Sequence, residues 1–295
     1  MVRKQKFKNI AIYSSLNNKK VNSIADQVVE VLTSLGINFS FPSSSKIQTK
    51  FSEKKTFADK TIIKRSDLIV SIGGDGTLLS SARNFGCHGV PVLGINLGSL
   101  GFLTDIPPAD LTFELKKIIN GKYVKDKRIF LEAKIEGRKE KFKALNEIVL
   151  HSGSIAQLIE YDLFIDNEFV YRQKADGLIV STSTGSTAYS LSGNGPIISP
   201  EVKAITLLPM FPHSLNARTF ITSDNKRINL RVRGNTKAYL SMDSHHNLKV
   251  SSDENVVIEK SKTDLTLIHP TEHSFFSSCR DKLGWSLGIP KKIST

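Results

Sequence analysis

The residue run 71–79, Ser-Ile-Gly-Gly-Asp-Gly-Thr-Leu-Leu, constrains the fold of this chain more than any other stretch. It follows the apolar run 68–70, so that residues 68–72 read as a buried parallel strand. Leu78, Leu79 and Ala82 come next, at the spacing of one face of a short helix. The sequence therefore predicts a strand, a glycine turn and the start of a helix.

Three glycines in this turn surround one carboxylate: Gly73, Gly74 and Gly76 flank Asp75. Glycine takes positive φ at little cost and lets another group approach the backbone closely. Free N–H groups in such a turn, at a helix N-terminus, form a binding site for phosphate. A carboxylate placed among them would repel a phosphate unless it accepts a proton from an attacking hydroxyl or helps to hold Mg²⁺. A tight surface turn with a solvated aspartate is the alternative interpretation.

The residues around the turn predict an α/β domain over residues 1–122. We expect strands at 9–13, 37–41, 68–72 and 90–95, with a weakly patterned loop containing some helix over 43–60. Apolar faces predict a helix over 24–35 that ends at Gly36, and a helix capped by Asp110 that ends at Gly121. Alternating strands and helices indicate a parallel sheet, and ligands of such sheets bind beyond the carboxyl ends of the strands.

Past residue 122 the pattern becomes rich in short strands, which predicts a β-sandwich-like domain over residues 123–270. Two dipeptides, Asp166-Asn167 and Gly234-Asn235, are turn signals. The remaining residues, 271–295, are expected to dock as a tail on the N-terminal domain. Strands are predicted at residues 128–135, 142–150, 159–165, 177–180, 205–208, 227–232, 237–242, 255–259 and 265–269.

Composition limits the class of protein. The chain has 295 residues, enough for two ordinary domains, and no apolar run of the length that spans a membrane. The basic N-terminus lacks the apolar core and cleavage site of a secretory signal. Cys87 and Cys279 lie far apart and show no metal-ligand spacing. We therefore expect a cytoplasmic protein with free thiols.

The formal net charge of +13 has three candidate explanations. Nucleic acid is one, although the basic residues are spread along the chain and no recognition motif is present. A phosphate-rich small substrate is the second, because a positive field attracts it. The third is compositional bias toward Lys, Asn, Ile and Ser.

Three further stretches carry polar groups that suit a nucleotide. Residues 94–103 form a second glycine-rich loop after a strand, which lines a cleft or simply connects elements. Asn146 and Glu147 interrupt an apolar strand, so one of the two should face a core, where it suits ribose hydroxyls; a solvated strand end is the alternative. Residues 176–190 run from a buried strand into a cluster of hydroxyls and Tyr189, which fits a polar ligand or a Ser/Thr-rich helix cap.

Together these motifs resemble the NAD kinase family over nearly the whole chain. The Gly-Gly-Asp-Gly turn alone is shared with diacylglycerol and sphingosine kinases, whereas the later motifs, in this order, are specific. They are Asn146-Glu147, Thr184-Gly185-Ser186-Thr187-Ala188-Tyr189, Phe211-Pro212-His213-Ser214-Leu215 and Lys282-Leu283-Gly284-Trp285.

The resemblance implies transfer of the γ-phosphoryl group of ATP to the 2′-hydroxyl of the adenosine ribose of NAD, with a divalent metal such as Mg²⁺. It implies an α/β domain followed by a β-sandwich, and a homodimer or homotetramer. Asp75 would be the general base, with Gly73, Gly74 and Gly76 at phosphates. The implied NAD-binding set is Asp75, Gly76, Asn146, Glu147, Gln157, Lys174, Asp176, Thr187, Ala188, Tyr189, Ser190, Leu191, Ser192 and His245.

Three positions depart from the family pattern. Ser183 stands where a proline is frequent, and Gln157 where a basic residue or histidine is frequent. Asp243-Ser244-His245 replaces Asp-x-Gln, and His245 either contacts phosphates or lies in a solvated turn.

Two other classes compete with this interpretation. A lipid kinase would share the glycine turn but would need a membrane-facing apolar segment, which we do not find. A nucleic-acid-binding protein would explain the charge but not the turn, so we expect NAD and ATP as partners and neither nucleic acid nor membrane.

Overall fold

The structure is a computed structural model that describes residues 7–98, 101–154, 157–234, 237–252 and 254–285. The predicted turn residue Asn235, Ser99 and Leu100 of the second glycine-rich loop, and residues 286–295 of the tail lie outside the described residues. The chain divides into two compact units. The first comprises Met1–Lys127 and Leu265–Thr295, and the second comprises Arg128–Asp264.

The first unit is built on a parallel sheet with the strand order β17–β5–β4–β1–β2–β3, in which β17 takes part through Leu267 and Ile268. Its strands are β1 (Asn9–Tyr13), β2 (Asn38–Pro42), β3 (Thr56–Phe57), β4 (Leu68–Ile72), β5 (Val92–Ile95) and the end of β17 (Asn255–His269). Its helices are α1 (Lys19–Ser34), α2 (Ser52–Lys55), α3 (Asp59–Arg65), α4 (Asp75–Asn84), α5 (Leu111–Ile119) and α7 (Phe275–Leu283).

Helices cover both faces of this sheet. The buried faces of α1 and α5 share one core cluster with alternate residues of β1, β4 and β5, including Leu68, Val70 and Ile72. The intervening Ser71 points to the opposite face, where the hydroxyl of Ser81 on α4 donates to it at 3.0 Å. The predicted α/β architecture is therefore confirmed, and the glycine turn lies at the carboxyl end of β4.

The predicted end of α1 at Gly36 is confirmed, whereas the helix begins at Lys19, five residues before the predicted start. Asn18 caps α1 by accepting the N–H of Val21 at 2.9 Å, and Gly36 follows the helix with φ of 67°. Asp110 stands at the cap position of α5 but makes no side-chain capping bond, so that part of the prediction is wrong. A short 3₁₀ turn, Pro108–Asp110, leads into α5 instead.

The second unit consists of two antiparallel sheets. One has the order β13–β12–β11–β8–β15–β16, and the other contains β10–β9–β14–β17, with β6 paired to β17 and β7. Buried side chains of both sheets, Tyr161 among them, form one core. The strands are β6 (Val124–Ile135), β7 (Lys141–Ala144), β8 (Glu147–His151), β9 (Ile159–Ile165), β10 (Glu168–Ala175), β11 (Gly177–Thr182), β12 (Ala204–Met210), β13 (Phe220–Ser223), β14 (Ile228–Arg233), β15 (Ala238–Met242), β16 (His246–Val250) and β17. The short helix α6 (Tyr189–Ser192) follows β11.

Several predicted strands differ from the observed ones. The run 142–150 is split at Leu145 and Asn146 into β7 and β8, which belong to different sheets. The runs 255–259 and 265–269 form one continuous strand, β17. Three strands with exposed faces, β10, β13 and β16, lacked an apolar pattern and were not predicted. The turn at Asp166-Asn167 is confirmed, because both residues take positive φ.

None of the helices in the described part of the chain combines the length and the apolar character that a membrane crossing requires.

Candidate functional site

The glycine turn, residues 73–76, connects β4 to α4, and Asp75 is the first residue of the helix. None of Gly73, Gly74 and Gly76 adopts positive φ. A side chain on Gly73 would overlap Thr77, so the packing of the turn excludes one there. A Cβ on Gly74 or Gly76 would meet no atom within 4 Å. Packing therefore leaves the space beside these two residues open to a ligand.

A second segment, residues 101–104, encloses the carboxylate of Asp75. The N–H groups of Phe102 and Leu103 donate to its two oxygens at 2.9 and 3.1 Å, and the Thr104 hydroxyl donates at 3.4 Å. A Cβ on Gly101 would overlap the same carboxylate, so only glycine allows this close approach. Sequence reasoning left residues 94–103 as either the lining of a cleft or a structural connection, and it did not identify these contacts.

The carboxylate of Asp75 can still accept a proton from a hydroxyl group. A carboxylate accepts up to about four hydrogen bonds, and the segment 101–104 supplies three. The side chain is 30% exposed, and the helix N-terminus at which it stands stabilises negative charge. A hydroxyl group can therefore still reach Asp75 and donate its proton.

In the second unit, Asn146 and Glu147 lie where the chain passes from β7 to β8. The carboxylate of Asp243 accepts the N–H groups of Leu145, Asn146 and Glu147 at 2.9, 2.9 and 3.2 Å. Asp243 itself stands in a left-handed turn, with φ of 45°. This carboxylate replaces the pairing of a strand at these residues, which explains why the predicted strand 142–150 is interrupted.

Both polar side chains are buried, whereas the sequence predicted that one would face a core. Asn146 is 8% exposed and Glu147 is 3% exposed. Burial, and then the negative charge of Asp243, raise the pKa of Glu147 to about 8, although a hydrogen bond from the Tyr189 backbone opposes them. The Oε2 atom of Glu147 has no hydrogen-bond partner. A protonated Glu147 can therefore donate as well as accept a hydrogen bond at neutral pH.

The hydroxyl-rich segment packs directly on Asn146 and Glu147. It leaves β11 at Thr182 and forms a 3₁₀ turn, Thr184–Thr187, before α6. The Thr182 hydroxyl donates to the Leu145 carbonyl at 2.6 Å, and a Cβ on Gly185 would overlap the Asn146 carbonyl. Two motifs separated by about forty residues are thus brought together as backbone neighbours.

A cavity of about 500 Å³ opens in the second unit beside this junction. Tyr189, which is 43% exposed, and Asp176 line it, together with His151, Ser241, Ser244 and Asn247. His151 stacks on Tyr239 and accepts the Gly153 N–H at 3.1 Å. Burial lowers the pKa of His151, although a hydrogen bond with Asn247 opposes the shift. Sequence reasoning missed His151, whose only local signal was its place at the end of an apolar strand.

The other predicted residues are distributed around the second unit. Thr187 and Ala188 are half-buried, and the Thr187 hydroxyl donates to the Thr184 carbonyl. Ser190 is buried and its hydroxyl has no partner, whereas Leu191 is half-buried and Ser192 exposed. Three residues are exposed and do not line the 500 Å³ cavity: Gln157 before β9, Lys174 on β10, and His245 in the turn between β15 and β16.

One cluster in the first unit has the side chains of a metal site. Asp105, His269 and His273 bring ligand atoms within 4.8 Å of one another. Both Nδ1 atoms face one oxygen of Asp105, but the imidazole rings are stacked, with centroids 3.9 Å apart and planes at 11°. The contacts of both Nδ1 atoms with the Asp105 carboxylate pair this cluster internally.

Comparison with known proteins agrees with these observations. Residues 7–123 match the family model of the ATP-NAD kinase N-terminal domain, and residues 145–270 match that of the C-terminal domain. An NAD kinase of Marinobacter nauticus is 38% identical over 288 residues, which cover 96% of this chain and 98% of the relative. An NAD kinase of Acinetobacter baylyi is 39% identical over 284 residues, 95% of this chain and 92% of the relative.

Solved structures show the same fold. A yeast NADH kinase complexed with NADH aligns with a TM-score of 0.82 at 24% identity, covering 98% of this chain and 90% of that chain. An NAD kinase from Archaeoglobus fulgidus in complex with ATP aligns with a TM-score of 0.72 at 26% identity, covering 92% of this chain and 99% of that one. These matches do not support the lipid kinase alternative. The chain belongs to the ATP-NAD kinase family and is a phosphotransferase that phosphorylates NAD with ATP.

Proposed function

We propose that this chain transfers the γ-phosphoryl group of ATP to the 2′-hydroxyl of the adenosine ribose of NAD, with Asp75 as the general base. One observation carries the assignment. The Asp75 carboxylate is fixed at the N-terminus of α4 by the N–H groups of Phe102 and Leu103, beside open space at Gly74 and Gly76. A base held in one orientation next to room for phosphates suits in-line phosphoryl transfer.

The transfer forms one bond to the γ-phosphorus and breaks another. The 2′-hydroxyl oxygen forms a bond to the γ-phosphorus of ATP while the bond between that phosphorus and the β,γ-bridging oxygen breaks. The hydroxyl proton passes to the Asp75 carboxylate, and ADP leaves with the bridging electrons. Backbone N–H groups of Gly73, Gly74 and Gly76 would receive phosphate oxygens at the helix N-terminus.

Residues of the second unit would bind the substrate NAD. Asn146 and Glu147 would hold ribose hydroxyls, for which a buried amide and a buried protonated carboxyl offer both donors and acceptors. Tyr189 and Asp176 line the cavity, where Asp176 would contact the nicotinamide half. Further contacts to the dinucleotide are assigned to Gln157, Lys174, Thr187, Ala188, Ser190, Leu191, Ser192 and His245.

Mg²⁺ fits the site beside Asp75 as an ion that would enter bound to the phosphates of ATP. It typically keeps several waters and takes one or two carboxylates together with substrate phosphates. The Asp75 carboxylate is partly exposed, and three hydrogen bonds from the segment 101–104 already occupy most of its acceptor positions. When bound, the ion would supply positive charge against the charge on the transferring phosphoryl group.

The test is an assay of purified protein with NAD, ATP and Mg²⁺ in which NADP formation is measured. An Asp75→Asn variant should lower kcat by roughly 10²–10⁴-fold while the fold is retained. A near-native kcat in that variant would reject Asp75 as the base. Failure of the wild type to form NADP would reject the reaction itself.

We also propose a cytoplasmic homodimer or homotetramer, by resemblance to the family. Both cysteines of the chain are free thiols, in line with a reducing compartment. Light scattering on the purified protein would measure the mass in solution, and a monomer would exclude the assembly.

A further inference from the structure

The C-terminal helix α7 contacts the segment that holds Asp75. Phe275 and Lys282 are seven residues apart, two helical turns, and therefore lie on one face of α7. Ser278 and Cys279, between them on that face, are buried. The Phe275 ring lies 6.4 Å from the ring of Phe102, and the Lys282 ammonium lies 4.9 Å from the centre of the same ring. Both ends of α7 thus meet Phe102.

The same ammonium reaches the carboxylate of Asp75. The Lys282 Nζ atom is 3.5 Å from Asp75 Oδ2, which is also the oxygen that accepts the Phe102 N–H. Each of the two charged side chains is 30% exposed. As a stabilising contact, such a partly exposed ion pair contributes little, because water screens the two charges. Its position beside the base is a better reason for the contact than stability.

From these contacts we infer that Lys282 is a positioning residue for the phosphoryl transfer, acting through Asp75. The inference rests on the proposed function of Asp75. The ammonium contacts the oxygen that accepts the Phe102 N–H, while Leu103 and Thr104 hold the other oxygen, so the carboxylate is fixed in one orientation. It also offsets a negative charge that would otherwise repel the phosphates of ATP.

If Lys282 had a purely structural role, its substitution would have different effects. The substitution would alter the melting temperature, and any loss of activity would follow the loss of folded protein. A positioning lysine alters kcat in a fully folded enzyme and has no effect once Asp75 itself is removed. The two alternatives are therefore separated by kinetics together with a stability measurement.

The experiment compares Lys282→Met, which keeps the length of the side chain, with Lys282→Arg, which keeps the charge. Arg280→Met is the matched control, because Arg280 is a cation in the same last helical turn and is exposed. We expect Lys282→Met to lower kcat roughly 10- to 100-fold, with KM for NAD within about 3-fold of wild type and an unchanged melting temperature. Lys282→Arg should recover most of the loss, and Arg280→Met should match wild type.

The double variant Asp75→Asn/Lys282→Met completes a double-mutant cycle of the two residues. Its kcat should lie within about 3-fold of that of Asp75→Asn alone, because the lysine acts through the carboxylate. Near-native kcat in Lys282→Met, equal losses in the Met and Arg variants, or a full additional loss in the double variant would each overturn the inference. An active wild type with an impaired Asp75→Asn variant would leave the proposed function standing in all three cases.

Discussion

The carboxylate of Asp243 accepts the backbone N–H of Asn146 at 2.9 Å, although the two residues are 97 positions apart. The same carboxylate accepts the N–H groups of Leu145 and Glu147, so one buried side chain satisfies three successive donors. Strand pairing is thereby replaced where the chain passes between two sheets, and Asn146 and Glu147 are fixed in place.

Removal of the Asp243 carboxylate should affect both stability and NAD binding. We expect Asp243→Ala to lower the free energy of unfolding by about 2–4 kcal/mol, because three buried N–H groups lose their partner. KM for NAD should rise, since Asn146 and Glu147 would no longer be held. Urea denaturation and steady-state kinetics measure the two effects, with Lys249→Ala, an exposed position on β16, as the control. Native values of both quantities would contradict this role for Asp243.

The protonation of Glu147 makes stability depend on pH. Burial and Asp243 raise its pKa from 4.5 to about 8, so the folded chain holds a proton that the unfolded chain releases. The stabilising contribution is complete below pH 4.5 and is lost as the pH rises through about 8. The difference in unfolding free energy between wild type and Glu147→Gln should therefore fall between pH 6 and pH 9. Other titrating groups cancel in this difference, so a constant value would exclude the shifted carboxyl.

The exposed ring of Tyr189 should matter for NAD and little for the fold. It lines the cavity of the second unit and is 43% exposed. We expect Tyr189→Ala to weaken NAD binding by about 1–3 kcal/mol, by analogy with base–aromatic stacking, and to raise KM for NAD more than KM for ATP. Tyr189→Phe, which keeps the ring, is the matched control. A large drop in melting temperature without a change in KM would instead identify Tyr189 as a packing residue.

The cluster of Asp105, His269 and His273 should stabilise the first unit within a pH window. Burial opposes ionisation of Asp105, but hydrogen bonds and charges of both histidines hold its pKa well below the ordinary value. Burial alone lowers the pKa of His269, yet Asp105 and Asp126 outweigh it and raise the pKa. The Asp105 contribution is lost as the pH falls through its lowered pKa, and the His269 contribution as the pH rises through its raised pKa.

We therefore expect Asp105→Asn to lower the free energy of unfolding by about 3–5 kcal/mol at pH 6 and by less at pH 9. Urea denaturation at the two pH values measures the difference. Asp110→Asn is the control, since Asp110 makes no side-chain capping bond. An equal loss at both pH values would show that His269 is not charged beside Asp105.

Local pattern was sufficient for a large part of the fold. The apolar run at β4, the glycines after it and the helical spacing of Leu78 and Ala82 determine the turn on which Asp75 stands, because each signal acts over a few residues. The same holds for α1 with Gly36, and for the hairpin at Asp166-Asn167, whose residues tolerate positive φ.

Tertiary structure decided what depends on distant partners. The split between β7 and β8 requires Asp243, about a hundred residues away, and no apolar pattern encodes it. The edge strands β13 and β16 are held by pairing with β12 and β15 rather than by their own burial. At the candidate site, the sequence alone determined Asp75 as a carboxylate among glycines. Its orientation by the N–H groups of Phe102 and Leu103, and the approach of Lys282, arise only when the packed sheet and α7 bring those segments to the end of β4.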